Sequence, residues 1–323
     1  MSSKSYQPPT KLNRPAEDSF EEDTLSVASA HRATYERRVA DGMRRMEQRR
    51  VVIAGLARNL AKILPQTIKR IESLGERFAD YRVVIYENDS TDRTLEILKS
   101  WANHNSKVVI CSESRNDPVN QQTRCLSRAT RMAYYRTQCQ ETISSRFSDH
   151  DHVILVDMDL EGGWSFDGVA NTFGHDAWDY VGAYGIIFRR NRLSPNSVAH
   201  YDAWAYRYDE EFTPLSTKEV NGILFERGEP LHRVTSCFGG LGVYQMPAYL
   251  SGRYSGEDVE HVTFHRQMRK NGFRRTYLNP SMITVYGRKH RTFDPLAARV
   301  LRVVDALPGR NATRWEYARP EAA

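Results

Sequence analysis

From residue 51 onward, the sequence alternates between short β-branched runs and longer segments with helical spacing of apolar residues. The runs RVVIAG, YRVVIYE, KVVIC and HVILVD each have the length and composition of a buried strand. Between the first two runs, apolar residues recur every three or four positions from Leu60 to Leu74. Helices that separate strands imply right-handed crossovers. The pattern therefore predicts an α/β fold with a doubly wound, mostly parallel sheet.

The same patterns predict the intervening elements. Residues 118–141 have the spacing of a helix, and WDYVGAYGIIF has the composition of a later strand. Residues 189–232 are polar, contain several aromatic residues and show no clear period, which indicates an irregular insertion. Asp89 or Ser90 is expected to cap the helix that follows the second strand.

Polar residues follow three of the four early runs, at the points where the strands end. Arg58 follows the first run, Glu87 closes the second, and Asp157 and Asp159 close the fourth. In doubly wound sheets, ligands bind at the carboxyl ends of the strands. We therefore expect these side chains to lie on one rim of the sheet and to form a ligand site.

The D-x-D pair at this rim indicates a divalent metal. At a strand end, alternate side chains point the same way, so Asp157 and Asp159 face one point while Met158 packs on the other side. Two adjacent carboxylates repel each other unless a proton or a cation lies between them. Oxygen ligands favour Mg²⁺ or Mn²⁺, which also bind diphosphate oxygens and neutralise a leaving diphosphate. The alternative is that the two aspartates only cap a helix or a turn.

The chain has a net positive charge, most of which is concentrated in one stretch of the sequence. The net charge is +6. Between His31 and Arg50, seven arginines stand against three acidic residues, which is 7 − 3 = +4 in that stretch alone. This distribution argues against a nucleic-acid partner and favours a solvated helix leading into the fold, with a patch for an acidic partner or a membrane surface as the alternative.

The sequence contains no transmembrane segment, since no run approaches the roughly 18 apolar residues that a membrane helix needs. Its four cysteines show no close pairing. They predict a reducing, cytoplasmic setting, with peripheral membrane association left open.

Three ordered motifs, YENDSTDRT, VDMD and GEDVEH, resemble the landmarks of nucleotide-sugar-dependent glycosyltransferases with the single Rossmann-like, metal-dependent fold called GT-A. ENDSTD is similar to fungal capsule-associated mannosyltransferases, and more loosely to the DDGSTD of the large inverting family. The resemblance covers roughly residues 50–290. It implies a GDP- or UDP-sugar donor, a glycan or other hydroxyl acceptor, and Mn²⁺ or Mg²⁺ as cofactor.

On the donor side, the resemblance assigns roles position by position. Asp157 and Asp159 match the D-x-D that holds the metal, with Asp159 the firmer ligand. Glu87 matches the acidic residue that contacts the nucleoside, where aspartate is commoner. Arg58 would approach the base or the phosphates, and Arg128 resembles the arginine of an A-R-N segment, although alanine follows it here. A surface ion pair is the alternative for either arginine.

On the acceptor side, Asp258 matches the second residue of the family's E-D motif and would act as general base on the acceptor hydroxyl. Its position at a helix start is equally explained by the helix dipole. His290, after the last predicted strand, matches a histidine that ligates metal in many members of the fold. His261 and His265 have zinc-binding spacing, but without a third ligand nearby they are expected to be hydrogen-bonded helix residues.

The resemblance thus predicts a metal-dependent hexosyltransferase on a GT-A sheet with an acceptor-side extension. Mannose is the candidate sugar and inversion the expected outcome, with retention left open by the fungal resemblance. The alternatives are a sugar-phosphate nucleotidyltransferase, for which LARNLAK lacks the usual Gly-rich loop, and a non-catalytic carbohydrate-binding protein. Five stretches are expected: a disordered polar tail at 1–28, a basic helical lead-in at 29–50, a nucleotide-sugar-binding half at 51–160, an acceptor-binding half at 161–290 and a C-terminal extension at 291–323.

Overall fold

The computed structural model describes residues 25–120, 124–191 and 194–286, with the backbone alone for 188–191 and 194–197. His290, the C-terminal extension at 291–323 and most of the tail at 1–28 lie outside these ranges.

One hydrogen-bonded sheet runs through the described residues. Its strands are β1 (Arg50–Ala57), β2 (Asp80–Asn88), β3 (Val108–Glu113), β4 (His152–Val156), β5 (Gly163–Trp164), β6 (Tyr180–Asn191), β7 (Ser194–His200), β8 (His232–Arg233), β9 (Leu241–Gln245) and β10 (Thr276–Val285). Their order is β3-β2-β1-β4-β9-β6-β10-β5, with β7 beside β6 and β8 beside β10. Strands β1 to β4 are parallel, as are β6 and β10, whereas β9 is antiparallel to both of its neighbours.

Helices cover both faces of this sheet. A 3₁₀ turn (Ser29–His31) leads into α1 (Arg32–Met46), followed by α2 (Leu64–Gly75), α3 (Thr94–His104), α4 (Leu126–Arg146), α5 (Phe166–Phe173), α6 (Thr217–Asn221), α7 (Met246–Ser251) and α8 (Glu260–Lys270). One apolar core contains buried residues of α4, α7 and α8, and a second contains buried residues of α1, α2, α3 and α5. The predicted doubly wound, mostly parallel α/β fold is therefore confirmed.

Helix α1 is more than a solvated lead-in, because one of its faces is buried against α5. Tyr35, Val39, Gly42 and Met46 form that face. A Cβ atom placed on Gly42 would lie 1.7 Å from the carbonyl oxygen of Ala170, so only glycine allows the two helices to come this close. Arg32, Arg37 and Arg44 of α1 are exposed, whereas Arg45 donates to the carbonyl oxygens of Phe173 and His175 at the end of α5.

Three local predictions are wrong. The helix predicted at 118–141 begins only at Leu126, because the chain before it is bound to the rim of the sheet through Arg58 and Asp89. The predicted insertion begins with β6 and β7 as an antiparallel pair. Asp92, and not Asp89 or Ser90, accepts the hydrogen bond from the backbone N–H of Thr94 at the start of α3.

No helix among the described residues is both long and apolar enough to cross a membrane.

Candidate active site

The D-x-D segment lies directly after β4, at the carboxyl end of the parallel strands. The backbone N–H of Asp157 donates to the carbonyl of Gly240, 2.8 Å away. Its Oδ2 accepts a hydrogen bond of 2.5 Å from the hydroxyl of Tyr286, and its Oδ1 is 3.5 Å from Nη2 of Arg136. Burial raises the pKa of Asp157, and Arg136 opposes that rise. The Asp157 side chain is 28% exposed, so it faces a partly open space at the rim.

Asp159 is exposed, while Met158 between the two aspartates is buried, as the alternation predicts. Both carboxylates lie beside one aromatic pair, in which the rings of Tyr201 and Tyr286 stack with centroids 3.7 Å apart. Burial is the main cause that raises the pKa of Tyr201 to about 12, and the charges of Asp157 and Asp159 add to it. The same two charges raise the pKa of Tyr286. The two aspartates therefore share one site.

The donor set fits a hard divalent cation that binds substrate as well. No group of three or more His, Cys, Asp or Glu side chains that could hold a metal is found among residues 25–120, 124–191 and 194–286. Mg²⁺ and Mn²⁺ sites commonly use one or two carboxylates and complete the shell with water and phosphate oxygens. Asp159, with Asp157 beside it, offers such a set.

Arg136 connects the D-x-D segment with the start of α8. It is buried in α4, and its Nε donates to Oε1 of Glu260, 3.1 Å away, while its Nη2 faces Asp157. Glu260 is 4% exposed. A buried ion pair that loses one partner leaves an uncompensated charge. The contacts of Arg136 with Asp157 and Glu260 therefore stabilise the position of the D-x-D segment relative to α8.

Asp258 lies on the same side, just before α8, and is 2% exposed. Its Oδ1 is 3.4 Å from Nη2 of Arg124, and its Oδ2 is 3.7 Å from Nη2 of Arg207. It also accepts a hydrogen bond from the backbone N–H of Val259. The Asp258 carboxylate therefore lies between two guanidinium groups at the start of α8.

Arg128 lies near the D-x-D segment. Its guanidinium carbon is 5.2 Å from the ring centroid of Trp204, in cation–π geometry. Its charge acts to lower the pKa values of Asp157 and Tyr201, which places it within electrostatic reach of both.

Glu87 and Arg58, at the ends of β2 and β1, bind protein groups here. Glu87 is buried and accepts hydrogen bonds from the backbone N–H of Ser90 and the hydroxyl of Ser112, at 3.0 and 2.6 Å. Arg58 donates to the carbonyl oxygens of Asp117 and Pro118, at 2.6 and 3.0 Å. Arg58 therefore binds the segment that follows β3, whereas Glu87 connects the turn after β2 with the end of β3.

Asp89 binds the same segment from a left-handed conformation, with φ of 53°. Its carboxylate accepts three backbone N–H groups, from Arg115, Asn116 and Asp117, at 2.8 to 3.1 Å. Burial opposes ionisation of Asp89, but these hydrogen bonds and one from Asn88 lower its pKa to about 2. Asp89 is the third residue of ENDSTD, where the looser DDGSTD pattern has glycine. This chain therefore has a side chain at that position that accepts hydrogen bonds from the backbone.

The two glycines of FGG, Gly239 and Gly240, leave room for neighbouring atoms of Ala183 and Tyr286. A Cβ on Gly239 would lie 2.1 Å from the carbonyl oxygen of Ala183, and one on Gly240 would lie 2.5 Å from the hydroxyl of Tyr286. The carboxylate of Asp202 accepts from the backbone N–H groups of Phe238 and Gly239. Both glycines also have positive φ, so the segment needs them for conformation as well as for space.

The two histidines of α8, His261 and His265, differ in their hydrogen bonding. The ring nitrogens of His265 are 2.9 Å from the hydroxyls of Ser236 and Tyr244, so the prediction of a hydrogen-bonded histidine is confirmed. His261 is buried against the ring of Phe238, and neither of its ring nitrogens has a hydrogen-bond partner within the described part of the chain. Burial lowers its pKa well below the usual value, so His261 is a neutral core residue.

Five residues around the site were missed by sequence reasoning. They are Arg136, Tyr201, Asp202, Glu260 and Tyr286. Only Glu260 carried a signal, since it lies two positions after Asp258 in GEDVEH. The others reach the site from α4, from the end of β7 and from the end of β10, where their residue types are ordinary.

A cavity of about 470 Å³ lies at the opposite, amino end of the parallel strands. It is lined by residues that precede β1 and begin β4, including Arg49, His150 and His152. None of the predicted site residues lines it, so we locate the candidate site by its chemistry, at the rim that carries Asp157 and Asp159.

Comparison with known sequences identifies part of the chain. The family model described as Glycosyl transferase family 2 matches residues 52–132, about a quarter of the sequence. That stretch contains β1 to β3 and the predicted residues Arg58, Glu87 and Arg128. A search of curated protein sequences gave no significant match.

Similar solved structures include three transferase complexes. The mannosyltransferase PcManGT from Pyrobaculum calidifontis, in complex with GDP-Man and Mn²⁺, is 14% identical with a TM-score of 0.45, over 84% of this chain and 70% of that one. GalNAc-T7 with UDP, GalNAc and Mn²⁺ is 11% identical with a TM-score of 0.47, over 89% and 57%. Glucosyl-3-phosphoglycerate synthase from Mycobacterium tuberculosis, with Mn²⁺, UDP and phosphoglyceric acid, is 14% identical with a TM-score of 0.43, over 82% and 80%.

At these scores the structural likeness carries no argument about activity. The match of residues 52–132 to a glycosyl transferase family does support an activity, and it confirms the prediction that this chain is a glycosyltransferase.

Proposed function

We propose that the chain is a metal-dependent glycosyltransferase that moves a hexose from a GDP- or UDP-sugar to an acceptor hydroxyl. The observation that carries this proposal is the position of Asp157 and Asp159, which share one partly open site at the carboxyl end of β4. The resemblance of ENDSTD to fungal capsule-associated mannosyltransferases favours mannose, and therefore GDP-mannose, as the donor.

In this proposal residues 51–160 bind the donor. Asp157 and Asp159 are the metal ligands, with Asp159 the firmer one and the carboxylate of Asp157 held by Tyr286 and Arg136. A bound Mn²⁺ or Mg²⁺ would neutralise charge on the departing diphosphate. Arg128, within reach of Asp157, would add positive charge there. His290 remains a proposed further ligand outside the described residues.

Glu87 and Arg58 are proposed to form the nucleoside side of the cleft. Support comes from their position at the rim where the base would lie, since Arg58 binds the segment after β3 and Glu87 binds Ser112 near the end of β3. Their effect on the nucleoside would then be partly indirect, through the position of that segment.

Residues 161–290 are proposed to bind the acceptor. Asp258 would take the proton of the acceptor hydroxyl, which then attacks the anomeric carbon as the bond to the diphosphate breaks, with inversion. Arg124 and Arg207 support this role because they contact the two carboxylate oxygens of Asp258 and so hold its side chain in place just before α8. The four free cysteines, Cys111, Cys125, Cys139 and Cys237, favour a reducing, cytoplasmic setting.

Calorimetric titration of the chain with GDP and with UDP, each with and without Mn²⁺, tests the proposal. We expect one nucleoside diphosphate to bind, and to bind more tightly when Mn²⁺ is present, because the cation joins the carboxylates to the diphosphate. Mg²⁺ should replace Mn²⁺. Absence of metal-dependent nucleotide binding would contradict the proposal and favour a non-catalytic carbohydrate-binding protein.

A further inference from the structure

Both oxygens of the Asp157 carboxylate are engaged by side chains that lie far away in the sequence. The hydroxyl of Tyr286 donates to Oδ2 over 2.5 Å, and the guanidinium of Arg136 is 3.5 Å from Oδ1. A hydroxyl that donates to an ionised carboxylate forms a short and comparatively strong hydrogen bond. The neighbouring Asp159 is exposed.

Tyr286 is itself held on three sides. Its ring stacks on that of Tyr201, with an interplanar angle of 24°. Its backbone N–H donates to the carbonyl of Ile186, 3.1 Å away. The missing side chain of Gly240 provides the space for the hydroxyl group, because a Cβ there would lie 2.5 Å from the hydroxyl oxygen. The hydroxyl therefore reaches Asp157 from a fixed direction.

We propose that Tyr286 is a positioning residue, which fixes the carboxylate of Asp157 so that Asp157 and Asp159 together receive a divalent cation. This inference rests on the proposed function, since it assumes that a cation binds at the D-x-D segment. The physical reason is preorganisation: a carboxylate that is already oriented by a donor loses less rotational freedom when the cation binds. Groups that hydrogen-bond to metal ligands affect metal affinity without touching the metal.

The Tyr286→Phe variant tests the inference, because it removes one hydroxyl and keeps the ring that stacks on Tyr201. Mn²⁺ affinity is measured calorimetrically in the presence of whichever of GDP or UDP the wild-type chain binds. We expect the dissociation constant for Mn²⁺ to rise about 10-fold. The affinity for the nucleotide without Mn²⁺ should remain that of the wild type, whereas a merely structural role would weaken nucleotide binding with and without Mn²⁺ alike.

Tyr277→Phe is the matched control, since Tyr277 lies at the other end of β10 and pairs there with Val181. It should leave the Mn²⁺ affinity unchanged. Tyr201→Leu serves as a second variant: it removes the stacking partner but keeps the Tyr286 hydroxyl, and it should weaken Mn²⁺ binding less than Tyr286→Phe does.

The outcomes separate this inference from the proposed function. Wild-type binding that depends on Mn²⁺, together with a Tyr286→Phe affinity within about twofold of wild type, would overturn the positioning role and leave the transferase proposal standing. Equal weakening by Tyr277→Phe would also overturn it. A wild-type chain that binds no Mn²⁺ with either nucleotide would overturn both.

Discussion

At the residue scale, Asp157 connects distant parts of the fold, since Arg136 of α4 and Tyr286 after β10 both contact its carboxylate. Asp157, Asp159 and Asp258 stand at the ends of clear elements, so their positions followed from the strand pattern and from motif resemblance. Arg136 and Tyr286 did not, because the contacts that bring them to Asp157 span 21 and 129 positions of the chain. A tyrosine after a strand or an arginine within a helix carries no local signal of such a contact.

Asp258 has the clearest prediction at this scale. Asp258→Asn keeps the size of the side chain but removes the basic carboxylate, so we expect turnover of the sugar donor to fall by about 10²- to 10⁴-fold. Nucleotide affinity with Mn²⁺ should stay close to that of the wild type, because Asp258 is assigned to the acceptor. Full retained turnover with a folded variant would remove Asp258 from the chemistry and leave its role in the ion pairs with Arg124 and Arg207.

The helices and strands also divide into those that the sequence predicted and those that it did not. Strands β1 to β4 and helix α2 follow directly from hydrophobic period, whereas the start of α4 does not. Apolar spacing was continuous enough to suggest a helix from residue 118. However, Arg58 donates to the carbonyl of Asp117 and Asp89 accepts from its backbone N–H, so this part of the chain is held at the rim. These tertiary contacts outweigh local propensity. The pairing of β6 with β7 was missed because the polar residues there lack strict alternation.

Asp89 provides the element-scale prediction. Asp89→Gly tolerates the left-handed conformation but leaves three backbone N–H groups of residues 115–117 without their acceptor. We expect the free energy of unfolding in urea to fall by about 2 kcal/mol. Asp89→Asn, which tolerates the same φ and keeps one acceptor oxygen, should lose less.

The loss should also depend on pH. The pKa of Asp89 is about 2 in the folded chain, against about 3.9 in an unfolded one. A lowered folded pKa contributes stability that is present above about pH 4 and disappears as the pH falls toward 2. The difference between wild type and Asp89→Gly should therefore shrink over that interval. A difference that is constant with pH would show that the carboxylate is not the source of the effect.

At the scale of the whole molecule, the candidate site lies at the carboxyl ends of the parallel strands, where doubly wound sheets bind ligands. Four parallel strands direct their carboxyl ends to one rim, and the antiparallel β9 continues the sheet toward the strands of the second half. Arg136 then connects the D-x-D segment to Glu260 of α8. Sequence periodicity predicted the rim, but the ionic link between its two sides depends on the packing of α4 against α8.

The central claim is that Asp159, beside Asp157, joins a divalent cation to the diphosphate of the donor. The direct measurement is the calorimetric affinity of Asp159→Ala for the nucleoside diphosphate with and without Mn²⁺. Asp176→Ala serves as the control, since Asp176 is 81% exposed and pairs with Arg45 away from the site. We predict that Asp159→Ala abolishes the increase in affinity caused by Mn²⁺, together with metal-dependent turnover, while Asp176→Ala retains both. An undiminished Mn²⁺ effect in a folded Asp159→Ala chain would contradict the claim.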